Sequence, residues 1–174
     1  LPNFEQINGV KGSVISAVDL VKGIGKCAGL DVINVTGATG YLDTNYAGKV
    51  EAGIQSLINN DFLMLHIEAP DETGHEGDFQ KKIQAIEDLD SKVLKPLIDE
   101  LDSNFKNYRI CIVSDHPTPI ELRTHSYEYV PYLIYEKNTN LCNHNFKNFS
   151  EKIVEQTEHI IDDGYKLLSR LICN

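Results

Sequence analysis

Short apolar runs alternate with helical segments along this chain, and this alternation constrains its fold more than any other feature of the sequence. The runs are LDVINV at residues 30–35, DFLMLHI at 61–67, YRICIVS at 108–114 and YVPYLIY at 129–135. Each has the length and the apolar character of a buried strand. Because strands that alternate with helices build parallel sheets, the sequence predicts an α/β fold with a mostly parallel sheet flanked by helices.

Apolar residues spaced three and four apart mark the helical segments. Residues 46–60 have this spacing and end on two asparagines, so we expect a helix there. Residues 79–101 form a longer predicted helix, which Pro96 is expected to kink or divide. A polar loop is predicted over residues 138–148, and a helix over residues 149–173 closes the chain.

The size and the charge of the chain limit its class and its partners. With 174 residues it has the length of one domain, which we place at residues 1–174. A formal net charge of −10 argues against nucleic acid and anionic membrane surfaces as partners. No apolar run approaches the length of a membrane span. Widely spaced cysteines without a CxxC pair predict free thiols in a reducing compartment, the cytoplasm: Cys27, Cys111, Cys142 and Cys173.

Residue types that bind metals follow two of the predicted strands. The acidic segment IEAPDETGHEGD at residues 67–78 contains Asp71 and His75, whose spacing of four places them on one face of a helical turn. A second group follows the strand at 108–114 in SDHPTPIELRTHS. In parallel sheets, ligands bind beyond the carboxyl ends of the strands. The candidate ligands are two carboxylates and three imidazoles: Asp71, His75, Asp115, His116 and His125.

This set of ligands is typical of a dinuclear divalent metal centre that clamps phosphoryl oxygens. Asp115 and His116 are adjacent, and at a turn their side chains could splay towards two neighbouring ions. Oxygen and nitrogen ligands suit Mn²⁺ or Zn²⁺, whereas Mg²⁺ prefers oxygen ligands and binds histidine less readily. Either pair by itself also fits a solvated surface pair, and it is their combination at strand ends that favours a metal.

Other polar residues near these motifs have simpler interpretations. His66 lies within an apolar strand, which favours a core histidine with a satisfied hydrogen bond over a ligand. Arg123 could contact a phosphate because it lies two residues from His125, although a surface salt bridge fits equally well. The remaining acidic residues are interpreted as solvated or supporting groups: Glu68, Glu72, Glu76 and Asp78.

Four stretches, taken together, resemble a known family. They are KGSVISAVDLVKGIGKCAGL, GATGYLDTNYAGK, HIEAPDETGHEGDFQKKIQAIEDLD and SDHPTPIELRTHSYEYVPYLIY. In this order they resemble the cofactor-independent phosphoglycerate mutases, in the branch typical of archaea and some bacteria, within the alkaline phosphatase superfamily. The resemblance covers most of residues 1–135. It implies an alkaline-phosphatase-like fold of which this chain is a partial domain.

The resemblance also implies roles for the candidate ligands. Asp71, His75 and His125 would bind one divalent ion, and Asp115 and His116 would bind the other. Mn²⁺ is expected, with Zn²⁺ or Mg²⁺ as alternatives. The family interconverts 3-phosphoglycerate and 2-phosphoglycerate through a phosphoserine intermediate, in glycolysis and gluconeogenesis, so a phosphorylated small molecule is the expected substrate.

This chain has no counterpart of two further parts of the family pattern. The nucleophilic serine and an aspartate ligand of the second metal lie in an N-terminal segment, and an inserted domain holds the substrate. We therefore expect this chain to be the C-terminal portion of the metal-binding domain, without a catalytic nucleophile and inactive alone. Loss of the covering segment is expected to expose sheet edges and to favour self-association.

Two other functions stay open. A different enzyme of the alkaline phosphatase superfamily, such as a phosphomonoesterase or a phosphonate hydrolase, would share the metal ligands. A stand-alone metal-binding domain without catalytic activity would share them as well.

Overall fold

The computed structural model describes residues 1–139 and 148–172. Its strands are β1 (Gly12–Ile15), β2 (Asp31–Ile33), β3 (Phe62–Leu65), β4 (Arg109–Val113) and β5 (Tyr132–Glu136). Its helices are α1 (Phe4–Asn8), α2 (Asp19–Cys27), α3 (Tyr46–Ser56), α4 (Ala69–Glu76), α5 (Phe79–Asp88), α6 (Lys95–Asn104), α7 (Lys152–Gln156) and α8 (Lys166–Ile172). A π-helical segment (Leu89–Leu94) joins α5 to α6.

A three-stranded parallel sheet lies at the centre of the fold, with the strand order β2–β1–β3. Ser13 of β1 is in register with Asp31 of β2 and with Leu63 of β3. All four residues of β1 are buried, as is usual for a parallel strand covered on both faces. The prediction of an α/β fold with a parallel sheet flanked by helices is confirmed, although the sequence analysis did not assign β1 itself.

The last two strands form a separate antiparallel pair, β4–β5. This pairing differs from the mostly parallel arrangement that the sequence predicted. A parallel neighbour requires a crossover connection, usually a helix. The connection from β4 to β5 consists of turns and irregular backbone and contains three prolines, so the chain reverses direction instead: Pro117, Pro119 and Pro131.

The helix α3 packs against the parallel sheet, and α6 and the π-helical segment pack against α3 around an apolar core. This core contains Tyr46, Val50 and Val93, with Leu65, Ile67 and Leu97 packed against it. A glycine permits the close approach of α3 to β3, because a Cβ at Gly53 would lie 2.8 Å from Leu63 Cδ2. This packing fixes the end of β3, where the acidic segment begins.

The long helix predicted over residues 79–101 is observed as three consecutive helical stretches. The N–H of Lys95 donates to the carbonyl of Asp90, five residues earlier, as in a π-helix. Pro96 follows directly and has no N–H to donate, and its ring would collide with a carbonyl one α-helical turn earlier. The wider π turn accommodates the proline, so the interruption expected at Pro96 takes this form.

The C-terminal part of the chain differs from the single helix predicted there. The short helices α7 and α8 are separated by residues 157–165, which are irregular. Cys27 and Cys111 are free thiols, as predicted. The predictions for Cys142, Cys173 and most of the loop at 138–148 lie outside the described residues. In the described ranges, no helix is both long and apolar enough to cross a membrane.

Candidate metal centre

The helix α4 presents the acidic segment beyond the carboxyl end of β3. It begins at Ala69, with Pro70 in its first turn, where a missing N–H costs nothing. It ends before Gly77, whose φ of +72° gives the left-handed backbone that glycine tolerates. Asp71 and His75 therefore lie one turn apart on the same helix face, as their spacing predicted.

Three candidate ligands meet at this position. His75 Nε2 lies 3.3 Å from Asp71 Oδ2 and 3.1 Å from His125 Nε2. His125 Nε2 lies 3.5 Å from Asp71 Oδ1. Ligand atoms about 2.1 Å from one ion are separated from one another by roughly 3 to 3.5 Å. The carboxylate and the two imidazoles therefore fit a single divalent ion in both chemistry and spacing.

The ring of His75 is oriented by a main-chain atom. Its Nδ1 lies 3.0 Å from the carbonyl oxygen of Arg123. Because a carbonyl only accepts, Nδ1 is the donor, and Nε2 keeps the lone pair that a metal requires. Arg123 has a φ of +53°, an uncommon conformation for a residue with a Cβ, and this turn directs its carbonyl towards His75.

The second pair of candidate ligands lies against the first. His116 Nε2 is 3.3 Å from Asp115 Oδ2, and the His116 ring stacks on that of His125 with centroids 3.5 Å apart. Among the described residues, one group of three candidate ligands lies close enough together to hold a metal ion: Asp71, His75 and His125. The pair after β4, Asp115 and His116, thus adjoins this group and places two further candidate ligands beside it.

Two residues at this site were missed by the sequence analysis. Thr118, which is buried, donates from its hydroxyl to Asp71 Oδ1 at 2.5 Å. Lys82 of α5 donates from Nζ to the Thr118 carbonyl at 2.6 Å, and burial lowers the pKa of this lysine. Nothing in the SDHPTP stretch marks Thr118, since its partner is distant in sequence.

The side chain of Arg123 packs against Gly77 at the end of α4. Within residues 1–139 and 148–172, no carboxylate forms an ion pair with this guanidinium, so the surface salt bridge considered for Arg123 is not found there. The guanidinium belongs to an exposed residue beside the candidate ligands. Contact with a phosphate stays a prediction.

The other polar residues near the site have partners of their own. His66 Nδ1 is 3.0 Å from the hydroxyl of buried Ser16, at the ends of neighbouring strands β3 and β1. Burial lowers the pKa of His66, which favours its neutral form. Glu76 accepts from Tyr41 and Lys81, and Asp78 caps α5. These contacts agree with supporting roles for these residues.

A family profile decides the membership of this chain. The profile of the Metalloenzyme superfamily matches residues 1–161. The chain belongs to the Metalloenzyme superfamily. Membership of this superfamily implies binding of divalent metal, in agreement with the ligand group at α4.

Curated relatives of this chain include phosphoglycerate mutases. A probable 2,3-bisphosphoglycerate-independent phosphoglycerate mutase from Geobacter sulfurreducens is 44% identical, over 99% of this chain and 43% of its own length. A 2,3-bisphosphoglycerate-independent phosphoglycerate mutase from Methanothrix thermoacetophila is 46% identical over the same shares. The resemblance to cofactor-independent phosphoglycerate mutases is therefore confirmed, and the chain spans less than half the length of these relatives.

Two solved structures share the fold of this chain. A protein from Pyrococcus horikoshii superposes with a TM-score of 0.81 at 32% identity, over 90% of this chain and 46% of that protein. The cofactor-independent phosphoglycerate mutase of Thermoplasma acidophilum gives a TM-score of 0.71 at 23% identity, over 98% of this chain and 38% of that protein. The second likeness supports the fold alone.

Proposed function

We propose that this chain is the metal-binding part of a cofactor-independent phosphoglycerate mutase, which interconverts 3-phosphoglycerate and 2-phosphoglycerate. One observation carries the proposal. Asp71, His75 and His125 offer ligand atoms that all lie within 4.8 Å of one another, at the carboxyl edge of the parallel sheet. Relatives similar over nearly the whole chain bear the mutase name, which supports this choice among metal-dependent functions.

The ligands would hold two divalent ions, for which we propose Mn²⁺, with Zn²⁺ or Mg²⁺ as alternatives. Asp71, His75 and His125 would hold one ion, and Asp115 and His116 would contribute to the other. Such ions supply positive charge to the oxygens of a transferring phosphoryl group. Local positive charge also allows a chain of net charge −10 to accept a phosphorylated acid.

The chain's own side chains would place the substrate relative to this centre. Arg123 is proposed to contact a phosphate, because its guanidinium is exposed beside the ligands and has no ion-pair partner in the described part of the chain. The same turn orients His75 through the Arg123 carbonyl. A single residue would thus position both a metal ligand and the substrate.

The serine that carries the phosphoryl group is proposed to lie in a part of the protein outside this chain. The proposal places one aspartate ligand of the second metal and a substrate-binding domain there as well. The length of the relatives leaves room for these parts, since residues of this chain match 43% of the Geobacter sulfurreducens protein. We propose a cytoplasmic location and a role in glycolysis and gluconeogenesis for the whole protein.

The test is a mutase assay on the longest natural protein that contains this chain, supplied with Mn²⁺. We expect conversion of 3-phosphoglycerate, with loss of activity after chelation and in His75→Ala. His159→Ala, which removes an exposed histidine outside the ligand group, is the matched control and should keep its activity. The 174-residue chain alone should show no turnover.

Three results would contradict the proposal in different ways. Hydrolysis of phosphomonoesters or phosphonates without mutase activity would favour another alkaline-phosphatase-type enzyme. Turnover by the isolated chain would show that it contains its own nucleophile. Metal binding with no reaction in the longest natural protein would favour a stand-alone metal-binding domain.

A further inference from the structure

One hydroxyl group contacts a candidate ligand of each metal subsite. Thr118 Oγ1 lies 2.5 Å from Asp71 Oδ1 and 3.3 Å from His116 Nδ1. Asp71 belongs to the group on α4, whereas His116 belongs to the pair that follows β4. The Thr118 side chain is only 5% exposed, so water does not compete for these contacts.

The chemistry of the three groups fixes the direction of the hydrogen bond to Asp71 and limits how His116 can join it. An ionised carboxylate only accepts, so the single proton of the Thr118 hydroxyl is donated to Asp71. The hydroxyl oxygen then has lone pairs left for His116, and Nδ1 of His116 must be the donor. Asp115 Oδ2 can accept only from the tautomer protonated on Nε2, whereas the contact with Thr118 favours the tautomer of neutral His116 that carries its proton on Nδ1.

This tautomer leaves a lone pair on Nε2 of His116. That nitrogen lies 3.3 Å from Asp115 Oδ2, so two acceptors face one another. Two facing acceptors repel each other unless a cation or a proton lies between them. The hydroxyl of Thr118 thus prepares the second pair to receive a cation and, at the same time, orients the carboxylate of the first group.

The main chain of Thr118 contacts two helices, α4 and α5. Its carbonyl accepts from Lys82 of α5 at 2.6 Å. The same carbonyl approaches α4 so closely that a Cβ at Gly74 would lie 2.6 Å from it. Both the hydroxyl and the backbone of Thr118 are therefore fixed relative to α4.

We propose that Thr118 is a positioning residue that couples the two metal subsites by a directed chain of hydrogen bonds, from His116 through Thr118 to Asp71. This inference rests on the proposed metal centre. Residues that orient metal ligands typically contribute 10- to 100-fold to metal affinity. We expect loss of the hydroxyl to weaken binding at both subsites, because each subsite has one ligand in contact with it.

The first measurement uses the metal-free full chain with ¹⁵N-labelled histidine, at about pH 8, where an ordinary imidazole is neutral. Long-range ¹H–¹⁵N NMR spectra report which ring nitrogen carries the proton. We expect a proton on Nδ1 of His116 in the wild type and in Thr118→Ser, and a mixture of tautomers in Thr118→Val. A proton on Nε2 in the wild type would overturn the inference without any variant having to fold.

The second measurement is calorimetric titration of the same proteins with Mn²⁺. Thr118→Val should bind about 10- to 100-fold more weakly, whereas Thr118→Ser should stay within about 3-fold of the wild type. Equal affinities of Thr118→Val and the wild type would overturn the coupling. Absence of Mn²⁺ binding by a wild type with the expected tautomer would contradict the proposed function instead, so the two failures are distinct.

Discussion

The Nε2 atoms of His75 and His125 lie 3.1 Å apart, and Nδ1 of His75 is engaged by the carbonyl of Arg123. Nε2 of His75 is therefore an acceptor that faces a second ring nitrogen and the carboxylate of Asp71. Only a proton or a cation can satisfy this arrangement. A divalent ion would contact all three groups at once, which makes metal-dependent stability the most direct expectation.

Removal of the central carboxylate should abolish stabilisation by metal. At a Mn²⁺ concentration 100 times Kd, binding to the folded state contributes about 2.7 kcal/mol to the free energy of unfolding. We expect this increase in the wild type and its loss in Asp71→Asn, as measured by urea unfolding with and without Mn²⁺. Asp99→Asn on α6, where the carboxylate pairs with Lys95, is the control and should keep the increase.

The conformation of residue 123 should matter more for metal binding than its side chain. Arg123→Gly tolerates the φ of +53° and keeps the carbonyl that accepts from His75. Arg123→Val places a β-branched side chain in this conformation at a cost of roughly 1 to 3 kcal/mol. Calorimetry with Mn²⁺ should give near wild-type affinity for Arg123→Gly and weaker binding for Arg123→Val. The reverse order would contradict the role of the carbonyl.

Two helical glycines should respond in opposite ways to the same substitution. A Cβ at Gly74 of α4 would lie 2.6 Å from the Thr118 carbonyl, so Gly74→Ala must displace the loop or the helix. We expect a loss of roughly 1 to 3 kcal/mol in the free energy of unfolding, as for overpacking. Gly23 of α2 has open space around it, and Gly23→Ala should gain about 0.5 to 1 kcal/mol. Urea unfolding of both variants is the measurement.

The stability of the fold should fall in mildly acidic solution partly because of His66. Burial holds the pKa of His66 below its ordinary value of 6.5, so the unfolded chain binds a proton that the folded chain rejects. Its contribution to stability is complete above about pH 6.5 and decreases as the pH falls towards the folded pKa. The difference in unfolding free energy between wild type and His66→Gln should shrink as the pH is lowered from 7.5 to 5. A constant difference would contradict the assignment.

Self-association is expected of the isolated chain. In the described part of the sheet, β3 is an edge strand with exposed Met64, and the end of β4 exposes Val113, at 42% and 47% respectively. Unpaired edges with apolar side chains promote pairing between copies. Light scattering during size-exclusion chromatography should report dimers or larger species, and Met64→Lys should reduce them. A monomer at all concentrations would argue against this expectation.

Local patterns predicted the parts of the site that depend on short segments. The apolar run at 61–67 located β3, and the spacing of Asp71 and His75 placed them on one turn of α4. The central strand β1 was not assigned because it has only four residues, one of them glycine, and owes its state to the strands on both sides. Tertiary pairing decided its conformation, not local propensity.

Contacts between distant segments were beyond the reach of sequence patterns. The hydrogen bond from Thr118 to Asp71 joins positions 47 residues apart. It depends on the path of the backbone around Thr118, which the neighbouring Pro117 and Pro119 do not specify. The partner of His75 is a carbonyl, which every residue has, so the sequence contains no sign of it. The antiparallel course of β5 likewise depends on the irregular connection before it.

The π turn ahead of Pro96 has a further consequence for the direction of the long helix. One extra residue in a turn rotates everything beyond it by about 100° relative to what precedes it. Val93 and Leu101 are buried, whereas Ile83 and Ile86 are 40% and 53% exposed. The helical stretches before and after the π turn therefore face different directions: α5 packs against α4, whereas the π-helical segment and α6 pack against α3.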